Sequence, residues 1–598
     1  MPGNTQTPAE KLKAEGNALF VKKDYRAAHH KYSEAIKIDG NNAILYANRA
    51  ACSQFLRKYL DATADAKKAT TIDPTYAKGW ARLAAAEALS GNETHSIESW
   101  KKAIGALPAE NPSAAELKQK EQYESELKTV EAKLHELTVG PPPRSQTTRT
   151  PGSGSTSQAA STAGANYTPV SIPAGQAPWA RAVAQIGQPQ AAYEPPRGWR
   201  EENTNSSAWV IAGAYEDWKQ GEEFMNKQKV ERGAVSGWKG AITAFSNAVV
   251  RDERVLHLPD SRWIDMYNRQ VKLEAMQWGA LLDRSTEEIK ADALKRQRLR
   301  GWDASRGAIN ITIRAIMMRG VLESILTNRS EVAVQYIERA LELLRWGHET
   351  WKDAHELDKG MIFSDSFVRG MHTLYVEAYM KACAADPRKF KLEKLLKEAQ
   401  DLLKHCDTID AVTPVADVGF QMSFTIYPRG TALSVSGFYH SEMARKLLAE
   451  TPTAVEAILK HYHEAGDYYL SAADTLPSDD EKCLRAFDSY IFFSSRPKPL
   501  TPTSLAPGFL NCATENYFLC GAGLRIILPI MEKLRKALPK AKKIWGQSAS
   551  FQVMSSGFDQ SVKVEKDIRK KIAEGSLTLD SNRKCLKDGA VMFAAQSV

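Results

Sequence analysis

The chain has 598 residues, enough for several domains rather than one core. Its content, 43% hydrophobic and 25% charged, is that of an ordinary globular protein and excludes a collagenous or wholly disordered chain. The net charge of +9 is small for this length, and residues 1–137 carry only +2 of it, so the concentrated basic field that nucleic acid requires is missing and no nucleic-acid partner is expected.

The first hundred residues are periodic. Ala28-Tyr32-Ala35, Ala62-Ala66-Ala69 and Ser96-Trp100-Ala103 share one spacing, and their last alanines stand 34 residues apart each time, as do Gly40, Pro74 and Pro108 after them. A 34-residue period with small residues on one helix face is the tetratricopeptide pattern, in which helix pairs stack because one pair cannot bury its apolar face alone. Thr7-Pro8 with Glu10 opens the first helix. Gly16 is expected where the two helices of the first pair cross closely. Tyr25–Ile38, Asn42–Phe55, Tyr59–Ile72, Tyr76–Leu89 and Thr94–Leu107 complete three pairs, and the charged, periodic Ser113–Leu137 is expected as a capping helix.

From Thr138 to Tyr193 the chain has no acidic residue and is rich in Pro, Gly, Ser and Thr. Such a segment buries too little apolar surface to offset chain entropy, and 138–206 is expected as a disordered linker. Trp179 within it is read as a weakly packed linker residue rather than a docking peptide. Residues 207–545 read as a second, larger helical domain. Degenerate copies of the small–large–small spacing recur there at Ala241-Phe245-Ala248, Ala333-Ile337-Ala340 and Ala465-Tyr469-Ala472, with a partial copy at Tyr379-Ala382. Thr413–Ser436 is expected as a loop or hairpin between helices. Residues 546–598 are expected as a polar tail with a helix over Lys563–Glu574. The fold class is therefore all-α: a three-repeat solenoid with a capping helix, a linker and a second helical domain.

Seven cysteines lie far apart with no CxxC pair, the pattern of reduced thiols rather than of disulfides or a metal cage. The most apolar late run, Phe518–Met531, is interrupted by Arg525 and is too short to span a bilayer, and the N-terminus lacks a signal-peptide run. A cytoplasmic or nucleocytoplasmic protein is expected. No phosphate loop, HExxH or GxSxG motif is present, and His29, His30, His440, His461 and His463 are read as surface or core histidines. No metal, cofactor or catalytic residue is expected, and the protein is read as a non-enzyme.

The first helices of the three pairs carry the chemistry. Lys13 and Asn17 are one turn apart, as are Lys78 and Arg82, and Asn48 stands 34 residues before Arg82. Three cations and two amides on one concave surface suit a ligand with two carboxylates close together, such as a C-terminal Asp. LKAEGNALF, YANRAA and AKGWAR resemble the carboxylate-clamp tetratricopeptide domains of chaperone adaptors, over residues 9 to about 110. The resemblance implies that Lys13, Asn17, Asn48, Lys78 and Arg82 form the clamp, and that the partner is the Glu-Glu-Val-Asp C-terminus of heat-shock chaperones of the 70- or 90-kDa class. It leaves the client or partner of 207–545 unknown. Two alternatives stay open: a scaffold for another acidic-ended protein, and an enzyme within 207–545 addressed by the repeat domain.

Overall fold

The computed structural model describes residues 7–108, 111–139, 175–186, 205–232, 234–407, 417–484 and 509–582. Among them the chain is helical throughout, apart from one short antiparallel hairpin, β1 (Lys229–Glu231) with β2 (Ala234–Ser236). No described helix is long and apolar enough to cross a membrane. The chain divides into two compact units. The first comprises 1–168, 281–309 and 319–339, and the second 169–280, 310–318 and 340–598. Residues 281–309 and 319–339 thus cluster with the N-terminal repeats, although the sequence grouped them with the later helical domain.

The first unit opens with three helix pairs: α1 (Pro8–Val21) with α2 (Tyr25–Ile38), α3 (Ala43–Phe55) with α4 (Tyr59–Ile72), and α5 (Ala77–Leu89) with α6 (Glu93–Gly105). Thr7 and Glu10 form a capping box at the start of α1, satisfying two of the backbone donors that a helix N-terminus leaves free. All nine residues of the 34-residue pattern are buried, at 5% exposure or less, so the small–large–small spacing is the core. Small residues let the paired helices approach closely. A Cβ on Gly16 would lie 2.8 Å from the Tyr32 ring. Ala50 and Ala84, both fully buried, occupy the places 34 and 68 residues on. α7 (Ala114–Val139) closes the series, with Tyr123 against Trp100 at 5.4 Å between ring centroids and Val130 in the same apolar cluster.

The same unit includes parts of α12 (Thr286–Leu326) and α13 (Ser330–Thr350). α12 is broken at Gly301, whose φ of 77° lies in the left-handed region where a side chain is disfavoured. The contacts of this part with the repeats are polar and partly buried. Thr286 at the α12 start donates its backbone N–H and its hydroxyl to Asp61 Oδ1, at 2.8 and 3.0 Å. Arg329 grips Glu93 through both guanidinium nitrogens, at 3.0 and 2.5 Å. Lys67 is paired with Asp283 at 2.7 Å and stays half-exposed.

In the second unit the remaining elements are α8 (Pro178–Ile186), α9 (Ser207–Met225), α10 (Ala241–Arg251), α11 (Trp263–Trp278), α14 (Glu356–Lys359), α15 (Asp365–Ala385), α16 (Leu392–Asp407), α17 (Val418–Gln421), α18 (Tyr427–Glu450), α19 (Val455–Thr475), α20 (Glu481–Leu484), α21 (Phe509–Leu519), α22 (Leu524–Trp545) and α23 (Ala549–Ala573). Antiparallel neighbours pair here as well, α9 with α10 and α18 with α19. The repeat device recurs within them: a glycine on the first helix faces the central aromatic of the second, Gly221 against Phe245 and Gly437 against Tyr469. The degenerate copies read from the sequence are all buried.

Three expectations are corrected. Residues 418–436 are not a loop but α17, a π-helical turn over Met422–Ile426, and the first half of α18; 413–416 lie outside the described residues. Pro428 is the second residue of α18, directly after that π-helical turn. In the expected polar tail, the helix expected over 563–574 is the later part of a longer, 25-residue α23, which buries Phe551, Phe558, Val564 and Ile568 at widely spaced positions that a polar composition hides. Most of the expected linker lies outside the described residues, but 178–186 within it is helical. Trp179 there stacks on His257 at 4.5 Å and on Tyr215 at 5.4 Å, and Arg181 donates to the Lys542 carbonyl at 3.0 Å.

Candidate functional site

The five residues singled out by sequence sit on the first helices of the three pairs: Lys13 and Asn17 on α1, Asn48 on α3, Lys78 and Arg82 on α5. Asn17, Lys78 and Arg82 are exposed, and Lys13 and Asn48 half-buried. Two of the five meet directly, as Asn48 Nδ2 donates to Asn17 Oδ1 at 3.3 Å. Asn17 Oδ1 also accepts from the Tyr32 hydroxyl at 2.7 Å. Tyr32 is the buried centre of α2, and burial pushes its pKa up to about 12, so its phenol remains a donor. With Oδ1 accepting twice, the Asn17 amide is oriented so that its NH₂ faces away from Tyr32. No described residue accepts from that NH₂.

The cations are equally uncommitted. Among the described residues, Lys13, Lys78 and Arg82 have no carboxylate within ion-pair distance, whereas Arg49, nearby on α3, is held by Asp65 in a two-pronged pair at 2.8 and 2.6 Å. The Arg82 carbonyl accepts from Gln54 Nε2 of α3 at 3.2 Å. Its positive charge is felt at Cys52, where burial nevertheless raises the thiol pKa to about 12. The surface therefore offers exposed donors of amide, ammonium and guanidinium type with no internal acceptor, suited to carboxylate oxygens.

One constellation was missed. His440 on α18 and His461 and Glu464 on α19 bring one ligand atom each within 4.8 Å of the others. The available signal was the three-residue spacing of His461 and Glu464, which puts them on one helix face; the separation of His461 from His463 drew attention instead. The six described cysteines are free thiols, five of them buried.

No family model matches the chain. Over 131 residues it is 43% identical to the small glutamine-rich tetratricopeptide repeat-containing protein 2 of Saccharomyces cerevisiae, covering 22% of this chain and 37% of that protein. It is 51% identical over 78 residues to the heat shock protein sti1 homolog of Schizosaccharomyces pombe, 13% of each chain. Over 101 residues it is 35% identical to the Hsp70-Hsp90 organizing protein of Triticum aestivum, 17% of each chain. The chain thus spans little more than a third of the first of these relatives and less than a fifth of the other two. Its N-terminal segment is homologous to tetratricopeptide co-chaperones.

Proposed function

We propose that the protein is a co-chaperone adaptor, not an enzyme. Its α1, α3 and α5 surface grips the acidic C-terminal peptide, of Glu-Glu-Val-Asp type, of heat-shock chaperones of the 70- or 90-kDa class. Lys13, Lys78 and Arg82 supply the charge, and Asn17 and Asn48 supply neutral donors to the terminal and side-chain carboxylates. The observation that carries this reading is the set of three cations and an oriented amide left without internal acceptors on the segment homologous to co-chaperones. A fold alone has no use for such a set, since isolated surface charges contribute little stability.

In this reading residues 1–137, with 281–309 and 319–339, form the docking unit. The remainder of 207–545 engages a client or effector. Affinity for a short peptide is on the order of micromolar, because few residues are buried, and it falls with added salt.

Fluorescence-polarisation titration of labelled chaperone C-terminal peptides tests this reading. The free-acid peptide binds the full chain, its C-terminal amide does not, and Lys78→Ala or Arg82→Ala removes binding without changing the helical CD signal. Equal binding of the acid and amide peptides, or wild-type affinity in both variants, overturns it. Binding of other acidic C-termini but not of chaperone peptides would favour the scaffold alternative.

A further inference from the structure

The α18–α19 helix pair holds a second site. His440 Nδ1 lies 2.9 Å from His461 Nδ1 and 2.8 Å from Glu464 Oε2, and His461 Nδ1 lies 3.7 Å from the same carboxylate oxygen. Tetrahedral ligands about 2.0–2.1 Å from a zinc ion stand roughly 3.3 Å from one another, close to the mean of these three edges. We propose that His440, His461 and Glu464 bind one divalent transition-metal ion of the zinc type, leaving a fourth coordination position to water.

The donor set fits that class of ion. Two imidazoles and one carboxylate suit zinc and its first-row neighbours and give poor sites for magnesium or calcium, which take mostly oxygen. The ligands come from two packed helices rather than from loops. Ala444 of α18 and Ile458 and Tyr462 of α19 form a buried cluster beside the site. That fixes the spacing of the donors before any ion arrives. The His440 ring is held by stacking on Tyr468, 5.3 Å away at 20° between planes.

The cluster is awkward as a purely hydrogen-bonded one. Both neighbours of His440 approach the same Nδ1, and a single N–H there serves only one of them well. Glu464 also borders a solvent-open cleft with Lys460, His463 and Cys520, which gives an ion a way in. Among the described residues, the cation paired with this carboxylate is Lys460, 4.0 Å from its other oxygen and largely exposed, so it does not fill the site.

The test uses the full chain, stripped with a chelator. Zn²⁺ is followed by titration calorimetry and Co²⁺ by its visible absorption. One ion per chain is expected, with the intense visible bands of four-coordinate cobalt and no displacement by excess Mg²⁺ or Ca²⁺. His440→Gln and His461→Gln abolish the bands, and Glu464→Gln weakens binding at least about 10-fold. His463→Gln, which alters the neighbouring exposed pair with Asp467, leaves binding unchanged. Far-UV CD checks that each variant folds; if a histidine variant does not, Glu464→Gln decides, because its side chain is one-third exposed. The proposal fails if no saturable one-to-one binding appears, if Glu464→Gln binds like wild type, or if His463→Gln removes the ion.

Discussion

Gly16→Ala separates helix propensity from interhelical packing, because the two predict opposite signs. Alanine is favoured over glycine inside a helix by about 1 kcal/mol, so on propensity alone the change stabilises α1. The structure says otherwise. The new Cβ would meet three Tyr32 ring carbons at 2.8 to 3.0 Å, where ordinary contacts begin near 3.4 Å. The ring must retreat roughly half an ångström into a close-packed core. It has little room, being 2% exposed among Ala28, Ala35, Leu45 and Cys52. Overpacking of this kind costs about 1–3 kcal/mol, so the net effect is a loss of up to about 2 kcal/mol in the α1–α2 pair.

Gly105 is the matched control. It is exposed at the end of α6 with nothing within 4 Å of an added Cβ, and Gly105→Ala is expected to stabilise by about 0.5–1 kcal/mol. A chain of two units need not unfold in one step, so global melting is the wrong measurement. Hydrogen exchange of peptides covering 8–38 and 93–108 reads each pair locally. Faster exchange over 8–38 in Gly16→Ala, with slower exchange over 93–108 in Gly105→Ala, is the expected pattern. Slower exchange in both would refute the packing argument. Because Tyr32 also orients Asn17, Gly16→Ala should weaken chaperone-peptide binding too.

Burial first, then the nearby charge of Arg49, lowers the His29 pKa from 6.5 to about 4, against the opposing pull of Asp61. The unfolded chain therefore binds the proton first, and stability present above pH 6.5 is lost as pH falls toward 4, by at most about 3 kcal/mol. His29→Gln should flatten that part of the pH profile of 8–38 hydrogen exchange, and an unchanged slope would remove His29 as its source. Arg329→Met leaves Glu93, which is 4% exposed, with Lys133 alone at 3.0 Å. Breaking such a buried pair costs about 3–5 kcal/mol, so exchange over 286–339 should accelerate strongly, and an effect below about 1 kcal/mol would contradict the burial. Trp179→Ala removes the stacks on His257 and Tyr215 and should expose 175–186 to proteolysis while leaving peptide binding intact; a wild-type cleavage pattern would show that this helix is held by other contacts.

The repeat half of the molecule was legible because its information is local. A 34-residue period places small residues where paired helices touch, and the nine pattern positions are buried accordingly. The five candidate positions, one turn or one period apart, stand on the first helices of the pairs for the same reason. What the spacing left out was the second layer: Tyr32 reaching fifteen residues back to orient Asn17, and Arg329 closing on Glu93 from 236 residues away. Such pairings depend on which helices the chain returns to, and nothing periodic encodes that return.

The polar composition of 549–573 points to a tail, because composition measures average polarity and a helix needs only one apolar stripe. The histidine–carboxylate cluster shows the same limit in chemistry: two of its members are neighbours on α19, but the third arrives from α18 twenty-one residues earlier. The sequence by itself determined the helices of the three repeats, their period and the donors on the repeat surface, since those follow from neighbours along the chain. Only the tertiary structure decided which distant segments cover the repeats and which side chains converge, since burial free energy is gained between surfaces that sequence order does not bring together.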